Sequence, residues 1–154
     1  MSLERLAQAG WYKPEPTSPA EIADLFSIVQ RSLSDSRVES ISDDLRFTAA
    51  YNGILTLANI ALRASGYRVA NTQGHHQRVI ESLVYTLTTE AGETRSRWVR
   101  KIKAHSQKRN AASYDAAGGV SPTELAQALK DLQVLLLQTE QMLQTNYPQL
   151  KAVT

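Results

Sequence analysis

Cysteine is absent from this chain of 154 residues, which excludes disulfides, thiolate metal ligands and thiol nucleophiles together. The same absence suits a reducing cytoplasm. Glycine and proline are scarce, at 7 and 5 residues, and most of them fall between apolar periodic segments rather than inside them. No apolar run approaches the ~18–20 residues of a membrane span. The opening Met1-Ser2-Leu3-Glu4-Arg5 lacks the apolar stretch of a secretory leader. There is no Walker loop, no Gly-x-Gly-x-x-Gly, no Gly-x-Ser-x-Gly and no close carboxylate pair on an apolar face. ATP hydrolysis by a P-loop, hydride transfer and serine hydrolysis are therefore set aside. The expectation is one cytoplasmic domain that makes no use of a membrane or a cofactor.

What is abundant points to helix. Alanine (19) and leucine (18) outnumber valine (9) and isoleucine (7) by more than two to one. A short amphipathic piece, Leu3 to Ala9, stops at Gly10 and leads into Trp11-Tyr12-Lys13-Pro14-Glu15-Pro16. The prolines keep that stretch out of a helix, and Trp11 and Tyr12 are expected to pin it to the body of the protein. Residues 1–17 thus read as an N-terminal arm and 18–154 as a helical domain.

Ser18, Pro19 and Glu21 carry the signature of a helix start, and Ile22, Leu25, Phe26, Val29 and Leu33 form its apolar stripe. The next helix spans about Asp43 to Ala64. It is apolar around most of its circumference between Ala49 and Leu62, as a central helix is. Its one polar stripe is Thr48, Asn52, Thr56, Asn59 and Arg63. Such a stripe marks a solvent edge, a set of cross-helix hydrogen bonds, or a functional groove or second subunit. The stretch from Gly66 to Gly74 reads as a loop, followed by helices from His75 to about Leu87 and from about Glu90 to Ser113. A last helix opens on Ser121-Pro122-Thr123-Glu124 and ends at Tyr147-Pro148, with Leu125, Leu129, Leu132, Leu136 and Leu143 as its seam. The fold class is all-α, an up-and-down bundle of four to five helices.

Charge is concentrated in the helix from Glu90 to Ser113. Between Arg95 and Arg109 lie seven cations (Arg95, Arg97, Arg100, Lys101, Lys103, Lys108, Arg109), with His105 and no acid, leaving 10 basic against 15 acidic residues elsewhere. Trp98 and Ile102 supply the apolar side of that helix. Polarised charge of this kind is a footprint for an anionic partner, above all phosphate.

At the end of the basic helix the chain reads Lys108-Arg109-Asn110-Ala111-Ala112-Ser113-Tyr114-Asp115. Here it resembles the HEPN family of small helical bundles, often dimeric, marked by an arginine, a polar residue and, a few positions on, a histidine near the end of a late helix. Arg109 and Asn110 match the first two, and Tyr114 stands where the histidine is expected. Tyr51-Asn52 and Gly74-His75-His76-x-Arg78 also look familiar from the small bacterial branch of that family. The resemblance implies metal-independent RNA cleavage in a groove shared by two protomers, with the arginine stabilising phosphate charge and the histidine moving a ribose proton. Tyrosine, with an ordinary pKa of about 10, donates a hydrogen bond at pH 7 but is a poor base.

Three histidines lie outside this motif. His105, one turn ahead of Arg109, projects from the same helix face and would let an imidazole and a guanidinium meet one phosphate. His75 and His76 point about 100° apart, which does not suit chelation of one metal; no metal site is expected. His76 is placed at the core edge, and His75 with Arg78 is a candidate anion grip beside a helix N-terminus. The candidate set is therefore Arg109, Asn110 and Tyr114, with His105 as a substitute base, and Arg97, Arg100, Lys101, Lys103, Lys108, His75 and Arg78 as phosphate contacts. The expected ligand is RNA or a nucleotide and the expected state a homodimer. The alternative is a non-catalytic binder with a cognate protein partner, as in a toxin–antitoxin-like pair.

Overall fold

Serine begins four of the helices. Ser2, Ser18, Ser42 and Ser121 sit in extended backbone, and each hydroxyl accepts the amide of the residue three further on, satisfying a donor that the first turn leaves open. At Ser121 the box is reciprocal, with the Glu124 carboxylate accepting the Ser121 amide. At Ser18 only half of the expected box exists. The Glu21 carboxylate is turned instead towards the Thr17 hydroxyl and the Arg63 guanidinium, which together hold it below the usual glutamate value.

The computed structural model describes residues 2–70, 74–114 (side chains to 110) and 119–151. In chain order they form α1 (Leu3–Gln8), β1 (Tyr12–Pro14), α2 (Pro19–Ser36), α3 (Asp43–Ala64), β2 (Tyr67–Val69), α4 (His75–Thr86), α5 (Gly92–Tyr114), α6 (Pro122–Asn146) and a closing 3₁₀ turn, Pro148–Leu150. The bounds expected for the central helix match, and the basic helix begins two residues later than expected. Among the described residues no helix is long and apolar enough to cross a membrane.

The loop expected after Ala64 is in part a strand. β2 pairs antiparallel with β1, Tyr12 opposite Val69 and Pro14 opposite Tyr67. Gly10 and Gly66, at φ 90° and 88°, turn the chain out of α1 and α3 into these strands. The arm is thereby fastened as expected. Tyr12 is buried, its hydroxyl donates to the Arg78 carbonyl at 2.7 Å, and burial leads the effects that push its pKa up to about 12.

α3 touches α2, α4, α5 and α6, so it is the central helix. Its Phe47, Tyr51, Ile54, Leu57 and Ile60 join Ile22 and Val29 of α2 and Leu125, Leu132 and Leu143 of α6 in one core. Arg63 leaves the polar stripe and turns inward, bonded to Glu21 and to the carbonyls of Glu15, Pro16 and Tyr67.

Gly53 is the close approach in this packing. A Cβ there would lie 2.8 Å from Leu132 Cδ1 and 3.2 Å from Ser32 Cβ. Gly53→Val is expected to destabilise the fold by about 2 kcal/mol, as overpacking does. Gly53→Ala should cost much less, because the Leu132 tip can give and alanine favours helix by about 1 kcal/mol. Urea titrations check both: equal midpoints for the two variants would show that the crossing is not tight.

Candidate anion site at Arg109

α5 buries Trp98, Val99 and Ile102, and the Trp98 indole donates to Gln138 of α6 at 2.6 Å. With that side committed, the cations spread around the remainder of the helix and do not form a single patch. Arg95 donates to the carbonyls of Val84 and Glu90 and so closes the turn between α4 and α5. Arg97 faces Glu93 at 3.6 Å, Lys101 faces Asp131 at 3.3 Å, Lys103 faces Glu81 at 3.5 Å and Lys108 faces Glu124 at 3.2 Å. Glu93 belongs to α5 itself, and the other three acids come from α4 and α6. The phosphate footprint expected of Arg97, Lys101, Lys103 and Lys108 is to that extent neutralised within the protein. Arg100 and Arg109 make no ion pair with any described residue.

His105 is not open beside Arg109. Its Nε2 lies 2.8 Å from Asp131 Oδ2, its ring meets Phe47 edge-on, and only 12% of its side chain is exposed. Asp131 is a buried carboxylate bonded to His105, Lys101 and Gln127. Burial pushes its pKa up, but the bonds from His105, Lys101 and Gln127 outweigh that and hold it below its ordinary 3.8. A depressed carboxyl contributes stability that is present above its unfolded pKa and lost as pH falls through the folded one. The melting temperature should therefore fall more steeply below pH 4 in the wild type than in Asp131→Asn. Thermal melts at intervals between pH 6 and pH 2.5 check this, and identical slopes would remove Asp131 from the acid response.

One turn further on, the register repeats. As His105 packs on Phe47, Arg109 packs on Tyr51, its Cζ 5.1 Å from the ring centroid. Arg109 is half-buried. Its Nε and the hydroxyl of the fully buried Tyr51 are both shielded from solvent without a hydrogen-bond partner. An unsatisfied Nε next to an unsatisfied hydroxyl, with no carboxylate among the described residues, describes a site that lacks an acceptor. Asn110 is exposed next to it. The side chain of Tyr114 and all of Asp115 lie outside the described residues.

The histidines of α4 divide differently from the expected grip. The Arg78 guanidinium lies 3.4 Å over the Trp11 ring and pairs with Glu81, whereas His75 and His76 face α2 and α3. His76 is exposed and not at the core edge. It lines a groove of about 690 Å³ between α2 and α3, with Arg31, Asp35, Thr48, Asn52 and Thr56. A further depression of about 230 Å³, which shares Ile28, Leu55, Thr56 and His76, adds Asn59 and His75. Three members of the polar stripe, Thr48, Asn52 and Thr56, therefore line this groove, and Asn59 lines the depression beside it. Ile28, Val38, Ile41 and Leu45, all exposed, line it as well. Desolvation, the charge of Arg109 and the neighbouring His75 hold His76 below the ordinary histidine value. Among the described residues, no three of His, Asp and Glu gather as a metal centre requires.

Sequence reasoning singled out Arg109 but missed Asp131 and the part played by Tyr51. Asp131 had left a signal: it is an acid set among Ala128, Leu132 and Leu135, the buried face of α6. No family model, curated protein or solved structure matches this chain.

Proposed function

We propose that this chain is a HEPN-like bundle that binds RNA or a nucleotide through a phosphate group received by Arg109. The observation that carries this reading is the state of that guanidinium. Four neighbouring cations on α5 face acids, while Arg109 is half-buried, free of any described carboxylate and short of an acceptor at Nε. Desolvated donors without partners are costly, and an incoming phosphate oxygen supplies what is missing. The planar fork of arginine suits two phosphate oxygens at once. Exposed Arg100 and Asn110 add attraction and a polar contact from the same helix.

Catalysis divides the reading. A weak or altered metal-independent ribonuclease is one form of it. The engagement of His105 by Asp131 favours the other, a non-catalytic homodimeric binder acting with a cognate protein in a toxin–antitoxin-like pair. Exposed Ile28, Val38, Ile41 and Leu45 support a second copy or a partner covering the groove.

The test uses labelled RNA in chelator with wild type and Arg109→Ala, with retention and cleavage both recorded and light scattering on the same samples. Arg109-dependent retention by a dimer is expected. Cleavage that disappears with Arg109 selects the enzyme, and retention without cleavage selects the binder. Equal retention and cleavage by the two proteins would end the phosphate role of Arg109.

A further inference from the structure

Between the N-terminal arm, α4 and α5 lies a cavity of about 320 Å³, to whose lining neither Arg109 nor the α2–α3 groove contributes. Val84 of α4 and Val99 of α5 belong to its apolar part. Three aromatic side chains line it with them, Trp11 and Tyr12 of the arm and Tyr85 of α4. Its charged lining is Arg78, Glu81 and Lys103. The size is at the lower end of ligand pockets and suits one small ring system.

The one acid of this cavity is already engaged. Glu81 Oε2 accepts from Arg78 at 3.3 Å, and its Oε1 accepts from Gln77 at 3.1 Å and from Lys103 at 3.5 Å. What stays open is on the donor side. The half-buried Tyr85 hydroxyl and the Trp11 indole N–H bond to no described residue. The ammonium of Lys103, 41% exposed, keeps two further protons to donate. Two cations against one carboxylate leave the cavity with one positive charge.

We propose that this cavity binds a small aromatic carboxylate, its ring among Trp11, Tyr12 and Tyr85 and its negative charge met by Lys103 and the Tyr85 hydroxyl. Contacts between aromatic rings favour a flat ring over a saturated one of the same size. A carboxylate carries the single charge that completes the balance, whereas a terminal phosphate, with nearly two, exceeds it. The site is separate from the Arg109 phosphate receptor and does not depend on it. Because the arm supplies one wall, a bound ligand also fastens the arm to α4 and α5, and so stabilises the folded protein.

The chain's two tryptophans give the readout. The Trp98 indole N–H is held by Gln138, so in ¹⁵N-labelled protein the second indole resonance reports on the cavity. Trp11→Phe assigns it. Benzoate is titrated into wild type, Lys103→Gln and Arg109→Ala, beside three comparison probes: benzamide, which lacks the charge; cyclohexanecarboxylate, which lacks the aromatic ring; and uridine 5′-monophosphate. Lys103 is at the surface, so its replacement leaves the core intact.

Benzoate is expected to move the Trp11 resonance and not that of Trp98, saturating at a Kd of about 1 mM, ordinary for a fragment. Benzamide and cyclohexanecarboxylate should bind at least about tenfold more weakly, and Lys103→Gln should weaken benzoate about tenfold. Arg109→Ala should bind benzoate as wild type does. An unmoved Trp11 resonance with benzoate would overturn the proposal. Benzamide or cyclohexanecarboxylate equal to benzoate, a Lys103→Gln titration equal to wild type, or a Trp11 shift with uridine 5′-monophosphate but not with benzoate would overturn it too. None of these results bears on retention of RNA by Arg109, whereas loss of benzoate binding in Arg109→Ala would overturn the separateness of the two sites.

Discussion

Replacement of Arg63 by alanine is expected to cost this protein about 3 kcal/mol of stability, the lower end of what breaking a buried ion pair does. Its side chain is 6% exposed and sits 2.9 Å from the Glu21 carboxylate. It also donates to the carbonyls of Glu15, Tyr67 and Pro16, at 3.1, 3.0 and 3.0 Å. One guanidinium thus ties the arm, α2 and the start of β2 to the end of the central helix. Without it the three carbonyls lose their donor, whereas Glu15 and Glu21, being partly exposed, can turn to water; that is why the lower figure applies. Arg63→Met fills the space and removes only the donors, so it separates hydrogen bonding from cavity formation. Both variants should unfold at lower urea than wild type. A loss below about 0.5 kcal/mol in both, typical of a plain surface site, would show that this junction does not hold the arm.

Arg109→Ala is expected to weaken retention of RNA or nucleotide by about 10- to 100-fold, because a hydrogen bond to a charged group contributes a net ~1.5–3 kcal/mol. The same substitution should leave stability unchanged or slightly raised, since it removes a buried donor that the empty protein does not satisfy. That pairing of outcomes distinguishes a binding residue from a structural one. Arg109→Lys keeps the charge and loses the fork, and should fall between. Lys103→Ala, whose ammonium already faces Glu81, is expected to change retention by no more than about twofold, and chiefly at low salt.

The fold was legible where its causes are local. Serine caps, prolines in the first turn and the all-round apolar run of α3 are read within a few residues, and the bounds Asp43–Ala64 match what the pattern implies. The β1–β2 pair was not legible, because three residues on each side carry no detectable alternation and the partners stand far apart in the chain. The site was half legible. Composition shows that the stretch from Arg95 to Arg109 lacks acids, but it cannot show that Glu81, Glu124 and Asp131 arrive from other helices to meet Lys103, Lys108 and Lys101. Helical spacing placed His105 and Arg109 on one side of α5, and both do face α3. It could not tell that a buried aspartate claims the first and nothing described claims the second. His75 and Arg78, three positions apart, were expected to share an anion, and Trp11 of the arm instead takes up the guanidinium of Arg78.

The most direct measurement is the Nε–H resonance of Arg109 in ¹⁵N-labelled protein, assigned by its loss in Arg109→Lys and followed during titration with a short RNA. An Nε–H without an acceptor in the free protein should shift and become protected from solvent exchange as the ligand saturates, because a phosphate oxygen then accepts from it. RNA that binds while this resonance keeps its position and its exchange rate would contradict the account, and would place the ligand elsewhere on the bundle.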